Sequence, residues 1–168
     1  TDNLSSLVSA LQQAGLVSTL EMDGPYTVFA PTNTAFQNLL DSNSDWNSLS
    51  DIDNATLTQV LLFHVVSGNV MTADSTDSYV ATSATGPNDE AISLKVDVTG
   101  GVLFNGSAKP TTTDIEASNG VIHIVDEVML PLSVVDLAID NSLFTSLVAA
   151  LTRSDHTTDY VDVLTGEG

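Results

Sequence analysis

The stretch YTVFAPTNTAF, residues 26–36, constrains the fold of this chain more than any other. Its apolar run YTVFA predicts a short buried strand. Pro31 and Thr32 follow and predict the start of a helix, because a threonine side chain can accept a hydrogen bond from the first helical turn. The apolar positions of that helix are Ala35, Phe36, Leu39 and Leu40. We therefore expect a strand that passes directly into a helix.

Helical patterns also lie on either side of this stretch. A first amphipathic helix is predicted to end at Gly15, and its apolar positions are Leu4, Leu7, Val8 and Leu11. Another helix is predicted to begin at Asp53 or Asn54 and to bury Leu57, Val60 and Leu61. The segment HVVSG, residues 64–68, leaves that helix as a strand or turn.

From residue 79 the apolar pattern alternates, which predicts strands. One face of a half-buried strand is formed by Ile92, Leu94, Val96 and Val98. The pairs Gly100-Gly101 and Asn105-Gly106 are hairpin signals. The segment VIHIV, residues 121–125, is apolar on both faces and predicts a central strand. A helical pattern returns from residue 134, and helices before and after a block of strands indicate the α+β class.

The chain also repeats itself. SLFTSLVAAL at residues 142–151 is similar to NLSSLVSAL at residues 3–11. A self-match at such a large separation is typical of tandem arrays. The sequence therefore predicts that a second copy of the same unit begins near the end of the chain.

Charge excludes several classes of partner. The 168 residues include 22 Asp and Glu against 3 Lys and Arg, for a formal net charge of −19. Nucleic-acid binding and direct binding to anionic membranes are excluded, because both need clustered cations. Such a charge favours a salt-tolerant protein of a saline exterior. There is no cysteine, so neither disulfides nor thiol chemistry are available.

Three segments together resemble the motif regions of the fasciclin (FAS1) family: YTVFAPTNTAF, LLFHVVSGNV at residues 61–70, and ASNGVIHIVDEVMLP at residues 117–131. The resemblance implies a bacterial or archaeal secreted or surface member. It implies a wedge of two β-sheets with packed helices, and an extracellular adhesion or matrix role in tandem copies. No enzymatic activity and no cofactor are implied.

The resemblance also implies a division of the chain. Residues 1–132 are similar to one FAS1 domain whose leading helix is missing. Residues 133–168 are similar to the helical start of a second repeat, because VVDLAIDN at residues 134–141 precedes the repeated helix. We expect that second segment to pack back on the first domain or on a neighbouring chain. Homo-oligomers through this C-terminal helix are then expected.

Two residue pairs are candidate interaction sites by the same resemblance. Phe63-His64 occupies the place of a Tyr-His pair implicated in integrin binding in animal members, although phenylalanine replaces the tyrosine. The alternative for His64 is a core histidine paired with backbone or with a side chain such as Asn33 or Thr32. Asp114-Ile115 occupies the place of an Asp-Ile pair linked to cell adhesion. The alternative is an ordinary strand-edge aspartate with Ile115 buried.

The sequence contains partial matches to metal-binding motifs. Asp41, Asn43 and Asp45 match the D-x-N-x-D opening of a calcium loop. Trp46 and Ile52 stand where that loop needs glycine and glutamate, so an EF-hand is rejected. His64 and His123 would supply only two ligands to a zinc ion, which usually takes at least three from the protein. Nucleophile-elbow, phosphate-loop and zincin motifs are absent from the sequence.

The sequence thus favours a non-catalytic adhesion or matrix-interaction module whose partner is a protein or glycan on a cell surface or matrix. Aromatic residues that could mark its surface are Trp46, Tyr79 and Phe104. The alternative is a secreted small-molecule or glycan-binding domain, which would have a deep cavity near Trp46 or Tyr79. A hydrolase that uses carboxylates ranks third.

Overall fold

The structure is a computed structural model that describes residues 2–72 and 76–132. Contacts within the chain group Thr1–Pro131 as one compact unit and Leu132–Gly168 as another. The expected second repeat at residues 133–168, its packing and any association through it lie outside the described residues. They stay predictions.

Four α-helices and seven strands make up the described part of the chain. The helices are α1 (Ser5–Gln13), α2 (Val17–Leu20), α3 (Asn33–Asp41) and α4 (Asn54–Phe63), with short 3-10 helices at Asp2–Leu4 and Leu49–Asp51. The strands are β1 (Tyr26–Pro31), β2 (Val65–Ser67), β3 (Ser78–Thr85), β4 (Ala91–Asp97), β5 (Leu103–Phe104), β6 (Pro110–Ala117) and β7 (Gly120–Val125). The α+β class predicted from the sequence is confirmed.

The strands follow the order β5-β4-β3-β2-β1-β7-β6. Strands β1 and β7 are parallel, and the other neighbours are antiparallel. A single residue pair, Val66 opposite Thr82, joins β2 to β3. Strands β3, β4 and β5 form one group, and strands β2, β1, β7 and β6 form another. The pair of Val66 and Thr82 links the two groups into one sheet. The central position predicted for VIHIV is confirmed, because β7 pairs with β1 on one side and with β6 on the other.

The two faces of β1 contribute to two separate apolar cores. Ala30 belongs to a core shared with α1, α3 and α4, whose largest side chain is Phe36. Phe29 belongs to a second core, on the β3–β4 side, together with Leu94 and Phe104. Successive residues of a strand point to opposite faces, so one short strand supports both cores.

The helix starts expected from the sequence are confirmed by their caps. The Thr32 hydroxyl oxygen accepts a hydrogen bond from the Ala35 N–H at 3.2 Å and caps α3. The Asp53 carboxylate accepts one from the Thr56 N–H at 3.0 Å and caps α4. Within the described ranges, none of the helices combines the length and the apolar character needed to cross a membrane.

Candidate functional site

The candidate site is built around residues 68–72, a segment that follows β2 and is held by polar side chains from three strands. Thr27 of β1 supplies the first anchor and is fully buried. Its hydroxyl donates to the Gly68 carbonyl at 2.6 Å and accepts from the Val70 N–H at 2.8 Å. One buried hydroxyl therefore fixes both the start and the middle of the segment.

His123 of β7 supplies the second anchor. Its Nδ1 accepts a hydrogen bond from the Asp114 N–H at 3.1 Å, which places the ring proton on Nε2. Nε2 then donates to the Val70 carbonyl at 2.8 Å. The ring is fully buried and lies 5.5 Å from the ring of Phe29, centroid to centroid. His123 thus links β6, β7 and residues 68–72 through both ring nitrogens.

Asp114 of β6 supplies the third anchor. Its Oδ1 accepts from the Thr72 N–H at 3.0 Å, and its Oδ2 accepts from the Thr72 hydroxyl at 2.5 Å. The Thr72 hydroxyl, followed by the Thr72 N–H, lowers the pKa of the Asp114 carboxyl below its usual value. The backbone of Asp114 has a φ of 57°, at an irregularity in the pairing of β6 with β7. Aspartate tolerates this left-handed conformation better than most residues.

Ile115 follows directly and lies on β6, the last strand of the sheet order. It pairs with Ile122 of β7, and 37% of it is exposed. The alternative in which Ile115 is buried is therefore wrong. The pair Asp114-Ile115 combines a fixed carboxylate with an exposed aliphatic side chain at the edge of the sheet.

Phe63 and His64 lie at the end of α4 and are both buried. His64 Nδ1 donates to the Val60 carbonyl at 2.7 Å, and Nε2 accepts from the Met129 N–H at 2.9 Å. Burial lowers the pKa of His64 to about 4. The partners of His64 are thus backbone groups, and not Asn33 or Thr32. An interaction role for Phe63 and His64 stays a prediction, and in this conformation it would have to be indirect.

The acidic loop that offered the metal candidates uses its side chains locally. Asp41 Oδ1 accepts from the Gln37 amide at 2.8 Å, and Asn43 Oδ1 accepts from the Asp45 N–H at 3.0 Å. All of these loop residues lie at the surface or are only half-buried. Among the residues that the structure describes, no three His, Cys, Asp or Glu side chains are grouped so that they could hold a metal ion.

The three aromatic residues singled out from the sequence have different environments. Trp46 is half-buried against the helical core, and Phe104 is buried, with its ring 4.5 Å from that of Phe29. Tyr79 is 58% exposed and pairs across the sheet with Lys95 of β4. Only Tyr79 among the three is a surface aromatic.

Two cavities adjoin the β6–β7 turn. One is an apolar groove of about 280 Å³ between α1 and strands β1 and β7. The other is a polar cleft of about 740 Å³ bounded by residues 23–25, 69–71 and 116–121. Neither is lined by Trp46 or Tyr79, where a ligand cavity was expected.

Sequence reasoning did not identify two residues whose hydrogen bonds hold this region together, Thr27 and Thr72. Thr27 is a polar residue within an apolar strand, and this was the only feature of the sequence that could have identified it. No feature of the sequence could have identified Thr72, because its partner Asp114 lies 42 residues away. Long-range polar pairs of this kind leave no local pattern.

The strand order contains one parallel pair, β1–β7, among antiparallel neighbours, and helices pack on the sheet, so the described residues form an α+β domain. The chain belongs to the fasciclin family, because the Fasciclin domain profile matches residues 2–131. One relative is "Protein sll1483" of Synechocystis sp. (strain ATCC 27184 / PCC 6803 / Kazusa). That protein is 39% identical to this chain over 130 residues, which are 77% of this chain and 68% of the relative.

Larger proteins contain similar domains. The pig transforming growth factor-beta-induced protein ig-h3 (Sus scrofa) is 33% identical over 131 residues, covering 77% of this chain but 18% of that protein. The solved structure of a FAS1 domain pair from the insect cell adhesion molecule Fasciclin I has the same fold. It aligns with a TM-score of 0.57 at 15% identity, over 88% of this chain and 52% of that one. The chain therefore spans a small part of some relatives and most of others.

Proposed function

We propose that this chain is a non-catalytic adhesion or matrix-interaction module that acts outside the cell, as one repeat of a tandem fasciclin surface protein. Its partner is a protein or glycan of a cell surface or matrix. The domain architecture supports this proposal, because the structural neighbour with the same fold comes from a cell adhesion molecule. The acidic charge of the chain directs it away from nucleic acids and anionic membranes.

The observation that carries the proposal is the exposure of Ile115 beside an immobilised Asp114. The Asp114 carboxylate is held by two hydrogen bonds from Thr72, so a partner would meet a surface that is already ordered. Binding to an ordered surface avoids part of the entropy cost of association. Strand β6 is also the last strand of the sheet order, where a partner can approach Ile115 directly.

The environment of the two histidines that the structure describes supports a role without catalysis. His64 and His123 are buried, and both ring nitrogens of each are engaged by backbone groups. A general base must come within hydrogen-bonding distance of a substrate proton, and neither ring can do so in this fold. Both rings instead stabilise the core that presents the surface.

An attachment assay tests the proposal. The full chain, immobilised on a surface, is expected to retain cells or matrix of the organism that encodes it, at 0.15 M and at 1 M salt. Ile115→Ser should abolish most of this attachment. Val17→Ser is the matched control, because Val17 is an apolar residue of α2 that is 39% exposed. Equal attachment by both variants, or attachment that disappears in 1 M salt, would refute the role of Ile115.

A second candidate function, a secreted small-molecule or glycan-binding domain, is favoured by the polar cleft between residues 23–25, 69–71 and 116–121. Glu116, the residue that follows Ile115 in β6, lines the cleft, whereas Ile115 does not. The two candidates therefore involve different residues of the same strand.

A further inference from the structure

The polar cleft has three walls that come from separate parts of the chain. They are the turn before β1 at residues 23–25, the segment after β2 at residues 69–71, and the β6–β7 turn at residues 116–121. Its volume of about 740 Å³ falls in the range of known small-ligand sites. The cleft is therefore large enough for a few sugar rings or a comparable ligand.

Hydrogen bonds tie the residues that flank the first wall to the third wall. The Asn119 amide nitrogen donates to the Leu20 carbonyl at 2.8 Å and to the Met22 carbonyl at 3.0 Å. The Asn119 carbonyl in turn accepts from the Tyr26 N–H at 3.0 Å. One asparagine thus binds the turn before β1 through both its side chain and its backbone.

Two glycines allow the same two walls to touch. A Cβ placed on Gly24 would lie 2.1 Å from the Asn119 carbonyl oxygen, and one on Gly120 would lie 1.9 Å from the Tyr26 carbonyl oxygen. Such distances are far below van der Waals contact, so both positions need glycine. The backbones of these two segments therefore approach each other closely at Gly24 and at Gly120.

The second wall is fixed by the anchors of residues 68–72. The Gly68 N–H donates to the Pro25 carbonyl at 2.8 Å, which joins this wall to the first. Thr27, His123 and Asp114 hold Val70 and Thr72 on either side of the cleft residue Met71. All three walls are therefore cross-linked by hydrogen bonds, and a ligand would enter a preformed site at low ordering cost.

The lining identifies the chemistry of the ligand. Among the described residues, the polar ones that line the cleft are Asp23, Asn69, Glu116, Ser118 and Asn119, and none is Lys, Arg or His. Ionised carboxylates accept hydrogen bonds only, so they suit hydroxyl donors and repel anions. Pro25 and Met71 add apolar surface for the C–H faces of a sugar ring.

From this geometry we propose that the cleft is a binding site for a neutral, hydroxyl-rich glycan, which is held by the carboxylates of Asp23 and Glu116. The inference rests on the proposed adhesive function and names the class of partner. Acidic glycans are disfavoured by the two carboxylates and by the net charge of −19. Among the described residues, no three His, Cys, Asp or Glu side chains are grouped to hold a metal ion, which argues against binding through a divalent cation.

An oligosaccharide array with the full chain tests the inference. At 0.15 M salt and with EDTA present, we expect capture of neutral oligosaccharides and not of uronic-acid or sulfated ones. Calorimetric titration of a captured neutral oligosaccharide should then show that Glu116→Ala and Asp23→Ala each weaken binding about tenfold or more. Asp45→Ala is the matched control, because Asp45 is an exposed carboxylate outside the cleft. Circular dichroism verifies that each variant is folded.

Several results would overturn the inference: no capture of neutral oligosaccharides, preferential capture of anionic ones, capture only when calcium replaces EDTA, or equal affinity of the cleft variants and Asp45→Ala. The attachment assay separates this inference from the proposed function. If glycan capture fails while Ile115-dependent attachment persists, the cleft proposal alone is rejected. If both fail, the adhesive function is rejected with it.

Discussion

At the scale of single residues, the two buried histidines show how polar groups are accommodated within an apolar interior. Each ring has one nitrogen that donates to a backbone carbonyl and one that accepts from a backbone N–H. Buried polar groups that keep two such partners cost little, whereas an unpaired one costs about 1–3 kcal/mol. Both histidines connect elements that are far apart in sequence, as His64 does with Met129, 65 residues away.

Protonation of His64 should make the fold sensitive to acid. The unfolded state binds the proton near pH 6.5, whereas burial delays protonation in the folded state to about pH 4. Between these values the unfolded state binds more protons, so stability falls as the pH is lowered from 6.5 and levels off below 4. The loss attributable to His64 should approach about 3 kcal/mol.

Urea unfolding of the wild type and of His64→Gln, from pH 7 to pH 4, measures this contribution. A glutamine oxygen can replace Nε2 as the acceptor for the Met129 N–H but does not titrate. The variant should therefore lose less stability than the wild type between pH 6.5 and pH 4, whatever its stability at pH 7. Exposed carboxylates are common to both proteins and cancel in the comparison. Parallel stability curves would show that His64 does not control the acid response.

At the scale of secondary structure, local patterns predicted the elements that have local causes. The strand–helix transition at residues 26–36 followed from apolar periodicity and from the cap at Thr32, and α4 begins at the cap expected at Asp53. The alternating face of β4 is confirmed by the burial of Leu94 and Val96. In each case the decisive interaction lies within a few residues of the pattern.

The pairing of the strands and the anchors of the site could not be predicted in this way. Nothing near β1 in the sequence indicates that it pairs in parallel with β7, about 90 residues later. The position of Asp114 was identified by resemblance, but its bond to Thr72 depends on β6 and residues 68–72 meeting in the fold. The cleft was missed for the same reason, since its three walls come from three separate segments.

The contact between β1 and β7 predicts that replacing Gly120 will destabilise the fold. This residue pairs with Tyr26 at the start of the parallel ladder, where a Cβ would lie 1.9 Å from the Tyr26 carbonyl oxygen. Gly120→Ala must separate the two strands or distort them, and should destabilise the fold by about 3 kcal/mol or more. Chemical denaturation measures the change.

Gly86→Ala is the matched control for this substitution. A Cβ at Gly86 meets only the Glu90 carbonyl oxygen, at an ordinary contact distance of 3.7 Å. Its effect should stay within about 0.5 to 1 kcal/mol of zero, because alanine there mainly restricts the unfolded chain. If both substitutions cost the same, the close approach of β1 and β7 does not explain the need for glycine at position 120.

At the scale of the whole molecule, charge is the dominant property of the chain. The chain has a formal net charge of −19 on 168 residues. Folding brings these negative charges closer together, so their mutual repulsion destabilises the folded state. The ion pair between Lys95 and Asp97, at 3.4 Å, offsets little of it, since surface pairs of this kind contribute about 0 to 1 kcal/mol. Screening by salt should therefore stabilise this protein.

Thermal unfolding in increasing sodium chloride at pH 7 tests this expectation. The Debye length falls from about 30 Å at 0.01 M to about 3 Å at 1 M salt, so most of the repulsion should be screened well before 1 M. We expect Tm to rise by about 3 °C or more, corresponding to roughly 1 kcal/mol, and to level off rather than increase linearly. The same titration near the isoelectric point of about 4.1 is the control, because the net charge is then close to zero and the gain should vanish. An equal rise at both pH values would mean that salt acts through burial of apolar surface, and that the acidic composition does not set the salt response.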